Sequence, residues 1–101
     1  MTDLEIKTID IKTLKWFDRI NGNTYFAQEI TLNYGLPNEE TIFNPFQYGY
    51  SSYDYFAFEK LQKSGYFKDI NKSSGFYPLH EKIIIRSNEY WAKQRELKAL
   101  K

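Results

Sequence analysis

The segment Gln47-Tyr48-Gly49-Tyr50-Ser51-Ser52 sets two tyrosines directly before a stretch with helical patterning. Free N–H groups at a helix start, together with the helix dipole, favour an anion, and a phenol ring can stack on a nucleobase. Such a combination would make a nucleotide or nucleic-acid pocket, with Arg86, Lys93 and Arg95 as phosphate contacts. No P-loop or Rossmann glycine pattern accompanies it. A capped helix with packed tyrosines accounts for the same residues, and a solvated basic end accounts for the cations.

Trp16 and Tyr25 form a second aromatic group. They are expected on the outward face of a hairpin beside Leu14 and Ala27, an apolar patch too large to leave bare. Either a partner or a second copy docks there, or another part of the chain covers it, such as residues 66–79 or the C-terminal segment. His80 is the only histidine and the chain has no cysteine, so nothing stands at metal-ligand spacing. It reads as an ordinary surface histidine, and Asp18-Arg19 as a solvated ion pair. No nucleophile, base and oxyanion donor assemble. The expectation is a non-enzymatic protein without metal or cofactor.

The totals narrow the classes further. A chain of 101 residues with 42% hydrophobic and 27% charged residues fits one globular domain, 1–101, with residues 1–8 and 98–101 expected to fray. Its 19% aromatic content supplies large buried areas from few residues. A net charge of +1 argues against a dedicated duplex-DNA binder and against an acidic DNA mimic. The balance is uneven: residues 1–50 hold four basic and seven acidic groups, residues 51–101 ten basic and six acidic. Absence of cysteine suits a reducing cytoplasm. No apolar run approaches a membrane span, and Met1 to Lys12 lacks the apolar centre of a signal peptide.

The elements that must position these residues follow from local signals. Asn21-Gly22 predicts a two-residue type I′ hairpin, which pairs Ile20 with Asn23 and Arg19 with Thr24. One face then carries Phe17–Phe26, Thr13–Ile30, Ile11–Leu32 and Ile9–Tyr34, and should be the core side. The other carries Asp18–Tyr25, Trp16–Ala27, Leu14–Glu29, Lys12–Thr31 and Asp10–Asn33. A third strand is expected at 41–43, ending before Pro45. Ser51 and Asp54 match a capping box, and Gly65 suits a left-handed cap, so a helix is predicted over 52–64. Its Tyr53, Ala57 and Leu61 stripe, flanked by Phe56 and Phe58, should cover the apolar face of the sheet. Residues 82–86 read as a strand. For 88–97 a helix is preferred over continuation of the strand through Tyr90 and Trp91, on the strength of Ser87 or Asn88 as a cap and a Glu89–Lys93 pair. The fold class is therefore α+β: an antiparallel β-sheet of three to five strands with one or two helices on one face.

Trp16-Phe17-Asp18-Arg19 with Asn21-Gly22-Asn23-Thr24-Tyr25, then Pro45-Phe46, Tyr48-Gly49-Tyr50 and the basic Lys93-Gln94-Arg95-Glu96-Leu97, resembles small uncharacterised proteins of tailed phages and prophages. The resemblance spans residues 9 to 97 in outline. It implies a phage accessory context in a bacterial cytoplasm, and it carries no functional residues over.

The leading expectation is a binding protein that docks on a host protein, for example to inhibit a defence or metabolic enzyme, through Trp16, Tyr25, Tyr48 and Tyr50. One alternative is a nucleotide or single-stranded nucleic-acid binder that stacks bases on those tyrosines and holds phosphate with Arg86, Lys93 and Arg95. Another is a structural phage component or homo-oligomer that meets its copies at the hairpin face or a sheet edge. No membrane partner is expected.

Overall fold

The computed structural model describes residues 6–100. Four strands, β1 (Thr8–Asp18), β2 (Asn23–Leu32), β3 (Glu40–Tyr48) and β4 (Ile84–Trp91), form one sheet in the order β3-β2-β1-β4. Two helices, α1 (Tyr53–Lys63) and α2 (Gln94–Ala99), lie on opposite faces, and short 3₁₀ turns at Lys72–Ser74 and Tyr77–Leu79 link α1 to β4. The α+β class is as expected, but the helices occupy both faces instead of one, and the sheet is mixed: β1 pairs antiparallel with β2 and parallel with β4. A parallel neighbour needs a long crossover connection, and the segment from α1 through the 3₁₀ turns provides it. Among the described residues no helix is long and apolar enough to cross a membrane.

The hairpin register differs from the expected one by two residues. Asp18 opposes Asn23, so the loop is Arg19–Gly22, four residues instead of two. The reason is the Asp18 carboxylate. Its Oδ1 accepts the N–H of Ile20 at 3.0 Å and of Asn21 at 3.3 Å, and its Oδ2 accepts Asn21 Nδ2 at 2.7 Å. Gly22 alone takes positive φ, at 71°, whereas a type I′ turn needs it at Asn21 as well. Because the shift is even, the paired residues of β1 and β2 keep their expected faces. Beyond β2 the expectation fails: Tyr34, placed opposite Ile9 on the core side, is exposed, and Asn33, placed on the outer face, is fully buried with its Oδ1 accepting the Lys7 N–H at 2.7 Å.

On the inner face, Ile9, Ile11, Ile30 and Leu32 pack against Ala57, Phe58 and Leu61 of α1 and against Tyr66, Phe67, Phe76 and Ile83. Each buried isoleucine, leucine or phenylalanine side chain here contributes about 1.5–3 kcal/mol. The helix ends as the sequence predicts. Gly65 adopts φ 103°, its N–H donates to the Gln62 carbonyl at 3.0 Å, and the Tyr66 N–H donates to the Leu61 carbonyl at 2.9 Å. That is a Schellman closure, with Leu61 and Tyr66 both in the core. The start differs: Ser52 is the cap residue, in a left-handed conformation with no side-chain capping bond. Asp54 instead accepts the Ser87 hydroxyl at 2.6 Å, which ties α1 to β4.

Two further boundaries move. β3 runs through Pro45 to Tyr48, because β3 is an edge strand and a bulge places Pro45 and Phe46 together opposite Ala27, where no ladder donor is needed. β4 continues to Trp91 and takes residues 88–91 of the stretch expected as helix, so the helix, α2, starts only at Gln94. Backbone pairing of the whole of β4 with Thr8–Lys15 of β1 outweighs the local capping signal at Ser87 and Asn88. Of the ends expected to fray, Ile6 is buried and Leu100 packs against the Leu14, Ala27 and Leu97 cluster, while residues 1–5 and 101 lie outside the described residues.

Candidate aromatic interface

The outer face of the sheet carries the candidate site. α2 lies across it and buries Leu97 completely between Leu14 and Ala27. Trp16, Tyr25 and Phe46 pack around that contact and stay half-buried. The expected cover for the hairpin patch is thus the C-terminal segment, not residues 66–79.

From this base a chain of ring contacts runs toward solvent. Trp16 lies 5.8 Å from Tyr25 between centroids, and Tyr25 stacks on Phe46 at 5.1 Å with the planes 7° apart. Tyr25 meets Tyr48 edge-on at 5.8 Å, and Tyr48 meets Tyr50 at 6.5 Å. Offset and edge-to-face rings at these separations are mutually attractive. The four aromatic residues singled out from sequence therefore form one strip, drawn from β1, β2, β3 and the loop after it. Its outer end is open: Tyr48 is 55% exposed and Tyr50 72%.

Sequence reasoning missed Phe46, the ring that joins Trp16 to Tyr25 from the other side at 6.4 Å. The bulge explains the omission. In an uninterrupted strand, Phe46 and Tyr48 would share the inner face with buried Asn44. The extra residue opposite Ala27 turns both onto the outer face.

The cations do not gather in one place. Arg86 lies on β4, the sheet edge opposite β3, about 14 Å away across three strand spacings. Its guanidinium is already engaged in a two-pronged pair with Asp10, Nε to Oδ1 at 2.7 Å and Nη2 to Oδ2 at 3.0 Å. Lys93 and Arg95 are exposed at the start of α2. The cation nearest the strip is Lys98, which sequence reasoning did not single out, with Nζ 5.3 Å from the Phe46 centroid. His80 is exposed at the end of the second 3₁₀ turn, and among the described residues no three His, Asp or Glu side chains converge as metal ligands.

The hollow at Tyr48, Gly49, Tyr50 and Ser52 measures about 220 Å³, smaller than the roughly 300–1,000 Å³ typical of small-molecule sites. A larger groove of about 500 Å³ lies on the uncovered part of the outer face, among Asp10, Lys12, Glu29, Arg86, Asn88 and Tyr90. Those side chains alternate along β1, β2 and β4, and of them sequence reasoning singled out Arg86 alone as a site residue. No protein-family model, curated protein or solved structure matches the chain.

Proposed function

We propose that this chain is a non-enzymatic binding protein that docks on a partner protein through the strip Trp16–Tyr25–Phe46–Tyr48–Tyr50. The observation that carries this reading is the continuity of the strip: half-buried rings brace Tyr48 and Tyr50, so two large amphipathic side chains stand exposed with little freedom left to lose on binding. Braced aromatic anchors of this kind dominate interface energetics. The phage resemblance makes a host protein of the bacterial cytoplasm the expected partner, with inhibition of a defence or metabolic enzyme as the outcome of docking.

The test has two steps. Tagged protein first captures binders from host lysate. Each captured protein is then purified and titrated against wild type, Tyr48→Ala and Tyr50→Ala. A loss of tenfold or more in each variant, about 1.4 kcal/mol or more, with unchanged melting, supports the reading. Equal affinity in all three removes the strip as the site.

One observation favours a second reading. The Lys98 ammonium lies beside the Phe46 ring, and Lys93 and Arg95 are on the same short helix. Stacked rings next to cations are how single-stranded nucleic acid is held. Steep weakening of oligonucleotide binding with salt would favour it, and the absence of binding at low salt would exclude it.

A further inference from the structure

The two edges of the sheet are unlike. β3 carries Pro45 and a bulge, two devices that blunt an edge against further pairing. β4, with the sequence IIRSNEYW, has no proline, glycine or lysine, and it pairs with β1 in unbroken register. Among the described residues its other side faces no strand. Ile84, Tyr90 and Trp91 are exposed along it.

The hydrogen-bonding phase of β4 decides what the free edge offers. The N–H of Ile84 donates to the Lys7 carbonyl at 3.1 Å, and that of Ala92 to the Lys15 carbonyl at 2.7 Å. In a parallel ladder alternate residues bond the neighbour, so the even-numbered residues of β4 spend their backbone groups on β1. The N–H and C=O groups of Ile85, Ser87, Glu89 and Trp91 therefore point away from the sheet.

We propose that β4 pairs antiparallel with β4 of a second copy of this chain, about a two-fold axis at Asn88, to make a continuous eight-stranded sheet. A two-fold axis normal to the sheet keeps the faces, so each residue must oppose one of like parity, and the outward-pointing residues must form the bonded pairs. Centred on Asn88, Ser87 bonds Glu89 of the second copy and Ile85 bonds Trp91. Between these pairs, Arg86 faces Tyr90 and Ile84 faces Ala92. Isoleucine thus meets an indole on the inner face, and a guanidinium meets a phenol ring on the outer face. No like charges oppose each other, since Arg86 stays paired with Asp10, and Glu89 with Lys15 at 3.2 Å. Centring on Ser87 instead would set Ile85 against Glu89, an apolar side chain against a carboxylate.

This pairing is independent of the aromatic strip. The strip lies on the β3 side, so a β4-to-β4 dimer leaves both strips free at its two outer ends.

The test exploits the absence of cysteine. Opposed residues in a non-bonded antiparallel pair sit with α-carbons about 4.5 Å apart, within disulfide range. Asn88→Cys is expected to form a covalent dimer under mild oxidation, and Ser87→Cys and Glu89→Cys are not, with His80→Cys as the control for random collision. In sedimentation equilibrium, wild type should approach twice the 12.1 kDa of the chain as concentration rises. Tyr90→Lys, which opposes a cation to Arg86, should weaken dimerisation about tenfold or more, and Tyr90→Glu should preserve or tighten it. A monomer at millimolar concentration, or Asn88→Cys cross-linking no faster than His80→Cys, overturns the proposal. Faster cross-linking of Ser87→Cys overturns this register. Asn88 and Tyr90 are exposed, and circular dichroism confirms that each variant is folded.

Discussion

Gly49 rests against the ring of Phe26 so closely that a Cβ added to it would fall 2.5 Å from Cε1 and 2.9 Å from Cδ1. Phe26 has no room to withdraw: it is fully buried, with Tyr53 at 5.0 Å and Phe56 at 4.9 Å between ring centroids. The Gly49 backbone is held from both sides, its N–H donating to the Thr24 carbonyl at 3.0 Å and its carbonyl accepting the Tyr53 hydroxyl at 3.1 Å. The glycine in the Tyr48-Gly49-Tyr50 loop is therefore a packing requirement that seats both exposed tyrosines.

Gly49→Ala should cost about 1–3 kcal/mol, the usual range for overpacking, seen as a lower midpoint in urea denaturation. Phe26→Leu in the same background should recover part of that loss. A double-mutant cycle showing strict additivity would contradict the contact.

A buried polar chain runs beneath the start of α1. Gln28, fully buried, donates through Nε2 to the Tyr53 carbonyl at 2.7 Å and to Thr13 Oγ1 at 3.1 Å, and its Oε1 accepts Asn44 Nδ2 at 2.9 Å. Gln28→Leu strands these partners away from water, so it should destabilise by about 1–3 kcal/mol although it adds apolar volume to a core. A neutral or stabilising result in thermal melts would show that the chain adds nothing.

The hairpin loop should respond to acid. Hydrogen bonding from the Asn21 side chain, opposed by desolvation and aided by the backbone N–H groups of Asn21 and Ile20, holds the Asp18 carboxyl below its ordinary 3.8. A depressed folded value means that the unfolded chain binds the proton first. The stabilisation is complete above the ordinary value and disappears as pH falls through the lowered one. An NMR titration should find Asp18 below 3.8 in wild type and nearer to it in Asn21→Ala.

α2 has six residues, too few to be helical on its own, and Leu97 is the side chain it buries. Leu97→Ala should release the helix locally and leave the inner core intact. In a Trp91→Phe background, where Trp16 is the remaining indole, emission should shift to the red and quenching by acrylamide should rise. Unchanged Trp16 emission would mean that another contact holds the segment.

Parts of this fold are legible residue by residue. The alternation of Ile9, Ile11 and Thr13, and of Phe26, Ile30 and Leu32, assigned the inner face even though the expected register was two residues off. Period two survives an even slip. The Gly65 closure was legible because a Schellman motif depends on a handful of consecutive residues. The hairpin length was not, since Asn21-Gly22 fits a two-residue turn and nothing local reveals that the Asp18 carboxylate closes a longer loop. The site was legible in part: Trp16, Tyr25, Tyr48 and Tyr50 were named, Phe46 was not, and Arg86 proved to be occupied by Asp10 at the far edge.

Sequence alone therefore determined which side chains of β1, β2 and α1 face the core and where α1 stops, because alternation and capping act between residues a few positions apart. Tertiary structure decided the rest. β4 lies parallel to β1 because the Ile84–Trp91 backbone gains an entire ladder there, against a local preference for helix. The strip on the outer face exists because a bulge formed only in pairing with β2 turns Phe46 and Tyr48 outward, beside the rings of Tyr25 and Trp16 far earlier in the chain. Contacts of that separation are set by which edges and faces are left to fill, and no short stretch of residues encodes them.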